Sequence, residues 1–307
     1  MKKILIATQK PFAPVAVSQM KEIAESKGYA IETFEKYAEQ SDLEQAVVDA
    51  DALIIRSDKA TKEVIEAGKN IKIIVRAGAG YDNIDLDAAT ANNVVAMNTP
   101  GQNSNAVAEL AFGMMISVIR NGYNGTAGTE LRGKKIGIHA YGNVGQYVAK
   151  IAKGFGMTVY AFDPFVSKDV IKADGITPVD SVEELYSTCQ FVSLHIPAND
   201  KTKKSINFDL LNKMPKNGIL VNTARKEVID EDGMVELMKT RSDFKYISDI
   251  APDNKDVFEA EFEGRFMFTP KKMGAQTSEA NINAGLASVN QIIAFFENGD
   301  ETFRVNK

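Results

Sequence analysis

The chain of 307 residues is long enough to form two domains of ordinary size. Hydrophobic residues make up 44 % and charged residues 25 %, which is typical of a globular protein in water. The formal net charge of −5 excludes the basic surface that nonspecific nucleic-acid binding requires, although a local cluster of Arg and Lys can still bind a small anion.

Targeting and redox features indicate a cytoplasmic protein. The apolar run after Met1 is too short for a secretory signal, and no apolar window has the length of a membrane span. The single cysteine, Cys189, cannot form an internal disulfide and precedes an apolar run. We therefore expect a buried packing residue at Cys189, a reducing compartment and no membrane partner.

In the first hundred residues, short apolar runs alternate with amphipathic stretches. One amphipathic stretch covers residues 15–27 and stops at Gly28, and another begins at Asp85. The apolar runs predict strands at 3–7, 30–34, 52–56, 73–77 and 94–97. This βαβα order is typical of a parallel sheet with helices on both faces.

A long helix at 104–119 and a glycine-rich loop at 122–128 are predicted to separate this region from a second βα series. Ser181 and Glu184 have the spacing of a capping box, and Asp230 is placed to cap another helix. The last helix is predicted at 279–298, ending at Gly299. The strands predicted in this series lie at 135–139, 158–162, 191–195, 219–222, 246–250 and 266–269.

The two series predict an α/β protein with two doubly wound parallel-sheet domains. Because a long helix separates the series and another closes the chain, we expect a discontinuous first domain made of residues 1–99 and 279–307. This domain is expected to be flavodoxin-like. Residues 100–278 are expected to form an inserted Rossmann domain.

The inserted domain carries the signature of a dinucleotide site. Residues 137–145, GIHAYGNVG, follow an apolar strand and open a helix, with Ala140 at the first glycine position of the fingerprint. At this tight turn we expect either a slightly open loop or a negative φ at Ala140. The residues of the turn that we expect to bind the cofactor are Tyr141, Gly142, Asn143, Val144 and Gly145.

An acidic residue follows this turn at the distance that the fingerprint requires. Asp163 ends the second strand of the series, about 20 residues after the turn. A carboxylate there binds the ribose diol and repels a 2′-phosphate, so NAD is favoured over NADP. The alternative is a structural glycine turn followed by an acid that occurs there by chance.

Several ordered segments resemble the D-2-hydroxyacid dehydrogenases over nearly the whole chain. They are residues 74–85 (IVRAGAGYDNID), 98–101 (NTPG), 107–109 (VAE), 192–197 (VSLHIP), 221–225 (VNTAR) and 249–250 (DI). Within this family, residues 98–109 and the pair Arg56-Ser57 are most similar to members that oxidise 3-phosphoglycerate at the entry to serine synthesis. The chain also resembles the short members that lack an appended regulatory domain.

The resemblance implies roles for individual residues. It assigns Arg225 to the substrate carboxylate, which a guanidinium binds as a fork. Backbone N–H groups of Ala77, Gly78 and Ala79 are expected to add donors, and Asn103 to contribute near the domain boundary. The substrate phosphate is expected to contact Arg56, Ser57 and Lys59, although Asp58 interposes a negative charge. The cofactor side is expected to include His195, Thr223, Ala224 and Asp249.

Two positions depart from the family pattern. The family glutamate corresponds to Asn254, and the family histidine corresponds to Lys272 in residues 269–275, TPKKMGA. We hypothesise that Lys272 is the proton carrier, with burial and the positive charges of Arg225 and Lys271 lowering its pKa from about 10.4. Loss of the glutamate is coherent with this, because a carboxylate would raise the pKa of the amine. The alternative is a solvated lysine in an inactive site.

Other groups offer weaker candidates. His139 is expected to be a packed strand residue, and His195 is a minor candidate for the base. Two isolated histidines do not predict a metal site. Lys226 stands where the family usually has glycine and could add positive charge.

Three functions therefore remain open. The first is NAD-dependent oxidation of 3-phosphoglycerate, a small anionic substrate, and the second is reduction of glyoxylate or hydroxypyruvate. The third is a non-enzymatic NAD sensor, which only the altered acid–base pair supports. The resemblance also implies a homodimer through the NAD-binding domain, with the helix around 106–119 in the contact.

Overall fold

The computed structural model describes residues 1–307. They form two compact units. The first unit comprises Met1–Asn103 and Gln276–Lys307, and the second comprises Ser104–Ala275. None of the helices combines the length and the hydropathy that crossing a membrane requires.

The first unit is built on a five-stranded parallel sheet in the order β2-β1-β3-β4-β5. Its strands are β1 (Lys3–Thr8), β2 (Ala30–Glu35), β3 (Ala52–Ile55), β4 (Ile73–Arg76) and β5 (Val95–Asn98). Side chains alternate between the two faces of each strand. In β1, Ile4 and Ile6 enter one core, whereas Leu5 and Ala7 enter the other.

Helices cover both faces of this sheet, as the alternation requires. Helices α1 (Pro14–Ser26) and α12 (Ser278–Asn298) pack on one face. Helices α2 (Gln40–Ala46), α3 (Lys62–Ala67) and α4 (Leu86–Ala91) pack on the other. The C-terminal tail then returns to β5, where Val305 N–H donates to Ala96 O at 2.8 Å and Asn306 Oδ1 accepts from Ala96 N–H at 2.8 Å.

The second unit is built on a seven-stranded parallel sheet in the order β12-β11-β10-β9-β6-β7-β8. Its strands are β6 (Lys135–His139), β7 (Thr158–Phe162), β8 (Thr177–Pro178), β9 (Phe191–Leu194), β10 (Ile219–Asn222), β11 (Lys245–Ser248) and β12 (Phe266–Phe268). The first strand, β6, lies between β7 and β9, so the chain winds outward from β6 in both directions. The carboxyl ends of β6 and β9 therefore mark the topological switch point, where ligands bind in sheets of this kind.

Two hydrophobic cores flank this sheet. Helices α5 (Ser104–Ile119) and α6 (Asn143–Gly154) contribute to one core. The remaining helices of this unit are α7 (Lys168–Ala173), α8 (Val182–Thr188), α9 (Phe208–Asn212), α10 (Glu231–Thr240) and α11 (Lys255–Glu261). Helix α7 contributes Ile171 to the first core, and α8, α9, α10 and α11 contribute side chains to the other. The prediction of an α/β fold with two doubly wound parallel sheets is confirmed.

Some local predictions need correction. Strand β8 was not predicted, because two residues are too few for a periodic pattern. Ser181 Oγ caps α8 by accepting from Glu184 N–H at 3.1 Å, but the Glu184 carboxylate accepts from Asp180 N–H rather than from Ser181. Asp230 occupies the N-cap position of α10, yet its side chain makes no capping hydrogen bond.

Candidate active site

The dinucleotide turn joins β6 to α6. Ala140 adopts a left-handed conformation with φ +81°, so of the two alternatives expected at this turn the negative φ is not found. Ala140 N–H donates to Phe162 O at 2.9 Å, which anchors the turn to the end of β7. The chain also passes so close to α6 that a Cβ on Gly145 would overlap the carbonyl oxygen of Ala140. An alanine pays about 1–2 kcal/mol for such a φ, which glycine would not.

The start of α6 is suited to bind a pyrophosphate. Gly142 is the N-cap residue and supplies no side-chain hydrogen bond to the first turn. The first-turn N–H groups therefore remain available, and the positive end of the helix dipole lies beside them. A dinucleotide phosphate group fits this donor set.

Asp163 follows β7 beside this turn. Its Oδ2 accepts from Tyr141 N–H at 2.7 Å, and its Oδ1 accepts from Phe165 N–H at 2.8 Å and Val166 N–H at 3.1 Å. These bonds hold a half-buried carboxylate in place, where it can accept from the ribose hydroxyls of a dinucleotide. The side chain of Tyr141 is buried and donates its hydroxyl to Asp174 at 2.8 Å, so Tyr141 faces the turn only through its backbone.

Both histidines lie at the carboxyl ends of the two central strands. His195 N–H donates to His139 O at 2.9 Å, and His195 Nε2 lies 3.0 Å from Ser193 Oγ. Burial lowers the pKa of His139 to about 4 and that of His195 to about 3, with the His139 ring also contributing to the second shift. Both rings are therefore neutral near pH 7. His139 packs against Tyr186, as predicted for a strand residue.

The loop after β10 presents Arg225. Asn222 is buried and shapes the loop, because its Nδ2 donates to Arg225 O at 2.9 Å and its Oδ1 accepts from Ala224 N–H at 3.0 Å. The Arg225 side chain is exposed, and its Nη1 donates to Ala224 O at 3.0 Å. Thr223 Oγ1 is buried beside it without a hydrogen-bond partner, as expected of a group that a ligand completes.

Lys272 reaches the same loop from the segment that follows β12. Its Nζ donates to Ala224 O at 2.5 Å, so Arg225 and Lys272 share one acceptor. Although the residue is exposed, the ammonium group is partly desolvated, and this desolvation lowers the pKa of Lys272 to about 8. The charge of Arg225 acts in the same direction, whereas Asp249 and Glu227 oppose it, and the lowering expected from Lys271 is not found.

Asp249 holds the segment that carries Lys272. Its buried carboxylate accepts from Thr269 Oγ1, Met273 N–H and Gly274 N–H, each at 2.8 Å. Asp249 was predicted to contact the cofactor. In the structure, its two oxygens fix the backbone that follows Lys272 and bind the Thr269 hydroxyl that precedes it.

The loop around Asn254 forms hydrogen bonds and an ion pair with Glu231 and Lys226. Asn254 precedes α11, and its Nδ2 donates to Glu231 O at 3.3 Å. The Glu231 carboxylate accepts from Asp253 N–H at 2.9 Å. Lys226 Nζ lies 2.5 Å from Asp253 Oδ1, so the positive charge expected at this position is used in an ion pair. The hydrogen bond with Asp253 raises the pKa of Lys226.

In the first unit, Arg56 is held by the protein. Its Nη1 donates to Lys10 O at 2.9 Å and Pro11 O at 3.0 Å, and its Nη2 contacts Asn281 Oδ1. The guanidinium also lies 4.9 Å from the centre of the Phe12 ring. Desolvation lowers the pKa of Arg56.

The neighbours of Arg56 differ in exposure. Ser57 and Lys59 are exposed, whereas Asp58 is buried. The Asp58 carboxylate accepts from Gln9 N–H at 2.7 Å and from the Tyr37 hydroxyl at 2.8 Å. The sequence suggested that Asp58 places a negative charge between the basic residues of the phosphate site. In the structure, this charge is instead directed into the protein.

The loop after β4 offers fewer donors than expected. Ala77 N–H donates to Ile55 O and Gly78 N–H to Arg76 O, each at 2.8 Å. Gly78 has φ +151°, and a side chain there would overlap the Arg76 guanidinium. The Ala79 N–H is the remaining donor among the three predicted residues. Asn103 is half-buried at the end of the first segment of this unit.

Sequence reasoning missed several residues that shape these sites. Asp174 contacts Tyr141 and Asn281 contacts Arg56, and in both pairs the two residues are distant in sequence. Ser193 contacts His195 and lies with it in residues 192–197, so that segment was the available signal. Asn222 lies within the quoted VNTAR segment, so its position beside Arg225 was the available signal. No group of three or more His, Cys, Asp or Glu side chains is arranged to hold a metal ion.

Comparison with known proteins places these features in a family. Residues 102–269 match the D-isomer specific 2-hydroxyacid dehydrogenase, NAD binding domain. D-3-phosphoglycerate dehydrogenase of Methanocaldococcus jannaschii is 36 % identical over 82 % of this chain and 51 % of its own. Hydroxypyruvate reductase of Thermotoga maritima is 34 % identical over 85 % of this chain and 90 % of its own.

A solved structure is similar over the full length. The crystal structure of NAD+-bound 3-phosphoglycerate dehydrogenase from Entamoeba histolytica is 48 % identical, with a TM-score of 0.87 and coverage of 100 % of this chain and 99 % of that one. By contrast, the chain spans about half the length of the first curated relative that it matches. Since the matched family segment covers more than half of the chain, the chain belongs to the NAD-dependent D-isomer-specific 2-hydroxyacid dehydrogenases, and its second unit contains their NAD-binding domain.

Proposed function

We propose that the chain is an NAD-dependent D-3-phosphoglycerate dehydrogenase that oxidises 3-phosphoglycerate to 3-phosphohydroxypyruvate in serine biosynthesis. The observation that carries this proposal is the convergence of Arg225 and Lys272 on one carbonyl oxygen, that of Ala224. This geometry puts a carboxylate-binding guanidinium beside a primary amine. The similarity to phosphoglycerate dehydrogenases from several organisms supports the choice of substrate.

Each residue then has one task. Arg225 binds the substrate carboxylate as a fork and stabilises negative charge on the reacting oxygen. The neutral amine of Lys272 accepts the hydroxyl proton during oxidation, and the ammonium returns it during reduction. NAD, when bound, supplies the hydride acceptor. Asp249 keeps the backbone on the C-terminal side of Lys272 in place.

The cofactor is held by the residues around the α6 turn. Gly142, Asn143, Val144 and Gly145 offer backbone N–H groups to the pyrophosphate, and Asp163 accepts from the ribose. Thr223 completes the cofactor side with its unpaired hydroxyl. In the first unit, Arg56, Ser57 and Lys59 are proposed to bind the substrate phosphate.

The test replaces Lys272. Lys272→Ala should abolish oxidation of 3-phosphoglycerate while NAD still binds with its normal Kd, because the dinucleotide turn is not altered. Turnover is followed by NADH absorbance at alkaline pH, and NAD binding by calorimetry. Lys271→Ala is the matched control, since it removes an exposed lysine from the same segment. Retained turnover in Lys272→Ala would exclude this residue as the proton carrier.

A second candidate is reduction of hydroxypyruvate or glyoxylate. It is favoured by the hydroxypyruvate reductase of T. maritima, of which the chain covers 90 %. These substrates lack a phosphate, so the comparison of 3-phosphoglycerate with glycerate and lactate separates the candidates. A KM for 3-phosphoglycerate no lower than that for glycerate would favour the second function.

The quaternary structure is part of the proposal. The family relationship supports a homodimer formed through the NAD-binding domain, with α5 in the contact. Light scattering coupled to size exclusion measures the mass directly and would exclude the dimer if it returned the mass of one chain. The cytoplasmic location stays a prediction.

A further inference from the structure

Lys272 has a chemical capacity that imidazole at the same position would lack. A primary amine can exchange a proton with a substrate oxygen, but its lone pair can also attack a carbonyl carbon. In a 2-oxo acid the carbonyl carbon is bonded directly to the carboxylate carbon. A carboxylate bound by Arg225 therefore brings an electrophilic carbon near the amine that shares its acceptor, Ala224 O.

We propose that Lys272 forms a reversible imine with 2-oxo acids whose carboxylate is bound by Arg225. The proposal rests on the proposed function, because it takes the oxo-acid product of that reaction as its ligand class. The Nζ lone pair forms a bond to the carbonyl carbon, and the C–O π bond opens to give a carbinolamine. Two hydrogens of the amine then leave with the carbonyl oxygen as water, and a C=N bond remains. No oxidant or reductant is consumed.

The surroundings of Lys272 favour this reaction. Its Nζ donates a hydrogen bond to Ala224 O, and the carboxylates of Asp249 and Glu227 act on it through their charge and not through a hydrogen bond. The two oxygens of Asp249 are occupied by N–H and hydroxyl donors, so they do not take the amine proton. Glu227 acts on the amine only through its charge. Since the pKa is about 8, roughly half of the amine is neutral and nucleophilic at that pH.

The backbone that carries Lys272 is held in place, while its side chain stays flexible. Met273 and Gly274 are bound to Asp249, so the main chain on the C-terminal side of Lys272 is fixed. Thr269 binds the same carboxylate from the N-terminal side. A fixed backbone with a long, flexible side chain lets Nζ reach either the carbonyl oxygen, for proton transfer, or the carbonyl carbon, for imine formation.

The experiment traps the imine chemically. The full chain, without added cofactor, is incubated with pyruvate or hydroxypyruvate and sodium cyanoborohydride at about pH 8, the pKa of the amine. Peptide mass spectrometry then locates any adduct, whose mass equals that of the oxo acid less one oxygen atom. We expect the label on Lys272, with little on Lys271, an exposed lysine of the same segment.

Variants separate a directed reaction from general lysine reactivity. Lys272→Arg keeps the positive charge but should give no adduct, whereas Lys271→Arg should label normally. Arg225→Met should reduce labelling of Lys272 about tenfold or more, because the charge-assisted hydrogen bonds to the carboxylate of the oxo acid are lost. Equal labelling of Lys271 and Lys272, or labelling that does not depend on Arg225, would overturn the proposal.

Turnover measured in parallel keeps the two proposals distinguishable. NADH-dependent reduction of hydroxypyruvate without any adduct on Lys272 would refute imine formation and leave the dehydrogenase function intact. An adduct on Lys272 that depends on Arg225, without turnover of any hydroxy or oxo acid, would support the imine and refute the dehydrogenase.

Discussion

The pH dependence of turnover tests whether Lys272 carries the proton. Its pKa is lowered from 10.5 to about 8, so the neutral amine is favoured relative to an ordinary lysine. At pH 7 about one amine in ten is neutral, compared with about one in a few thousand for an unperturbed lysine. Oxidation needs the neutral amine, whereas reduction needs the ammonium.

The two directions should therefore give opposite profiles. With NAD saturating, kcat/KM for oxidation of 3-phosphoglycerate should rise about tenfold per pH unit up to about pH 8 and then level off. For reduction of the oxo acid, the rate should be level below about pH 8 and fall about tenfold per unit above it. Both rates are measured by NADH absorbance in buffers of constant ionic strength.

Two substitutions assign the titration to Lys272. Lys272→His should move the limb of the profile toward about 6.5, the ordinary value of imidazole. Glu227→Gln removes a charge that raises the pKa of Lys272, so the limb should move to lower pH. Glu263→Gln is the control, because Glu263 is exposed and is not among the charges that act on Lys272. If Lys272→His retained turnover with an unchanged limb, the titrating group would be another residue.

The dinucleotide turn, the adenosine end of the cofactor and the phosphate site give further predictions. Ala140→Gly should raise the free energy of unfolding by about 0.5–1 kcal/mol in a thermal melt, since glycine accepts the positive φ; a loss of stability would contradict the strain inferred there. Gly145→Ala should weaken NAD binding at least about tenfold, because its Cβ overlaps Ala140 O; an unchanged Kd in calorimetry would contradict that close approach. Asp163→Ala should weaken NAD binding by about 1.5–3 kcal/mol and bring the Kd values for NAD and NADP closer together. If the variant still excluded NADP, another group would be responsible for the preference for NAD. Arg56→Ala should raise the KM for 3-phosphoglycerate more than that for glycerate, and equal effects would indicate that Arg56 only holds the Lys10 and Pro11 carbonyls.

Features that depend on residues close in sequence could be predicted. The continuous apolar run at 3–7 predicted a strand in a sheet covered by helices on both faces, and Ile4 and Leu5 do enter opposite cores. The turn at 137–145 and Asp163 form a local motif, so both the motif and the preference for NAD could be deduced before the fold was known. The capping role of Ser181 followed for the same reason, since its partner is three residues away.

Features that depend on how strands are ordered could not be predicted. Ala224 and Lys272 come together because β10, β11 and β12 lie side by side, and no periodicity encodes which strands are neighbours. The resemblance nevertheless implied that burial and Arg225 lower the pKa of Lys272, and in the structure desolvation and the charge of Arg225 do lower it, to about 8.

The conformation of single residues was also decided by tertiary contacts. Ala140 takes a positive φ against its own preference, at the point where the chain passes close to Gly145 of α6. Asp58 turns inward because Gln9 and Tyr37 offer donors from elsewhere in the first unit. The sequence by itself therefore determined the layers, the cofactor motif and the family. The direction and protonation of the side chains that would do chemistry were decided by the tertiary structure, because these depend on charges and hydrogen-bond partners brought together only by folding.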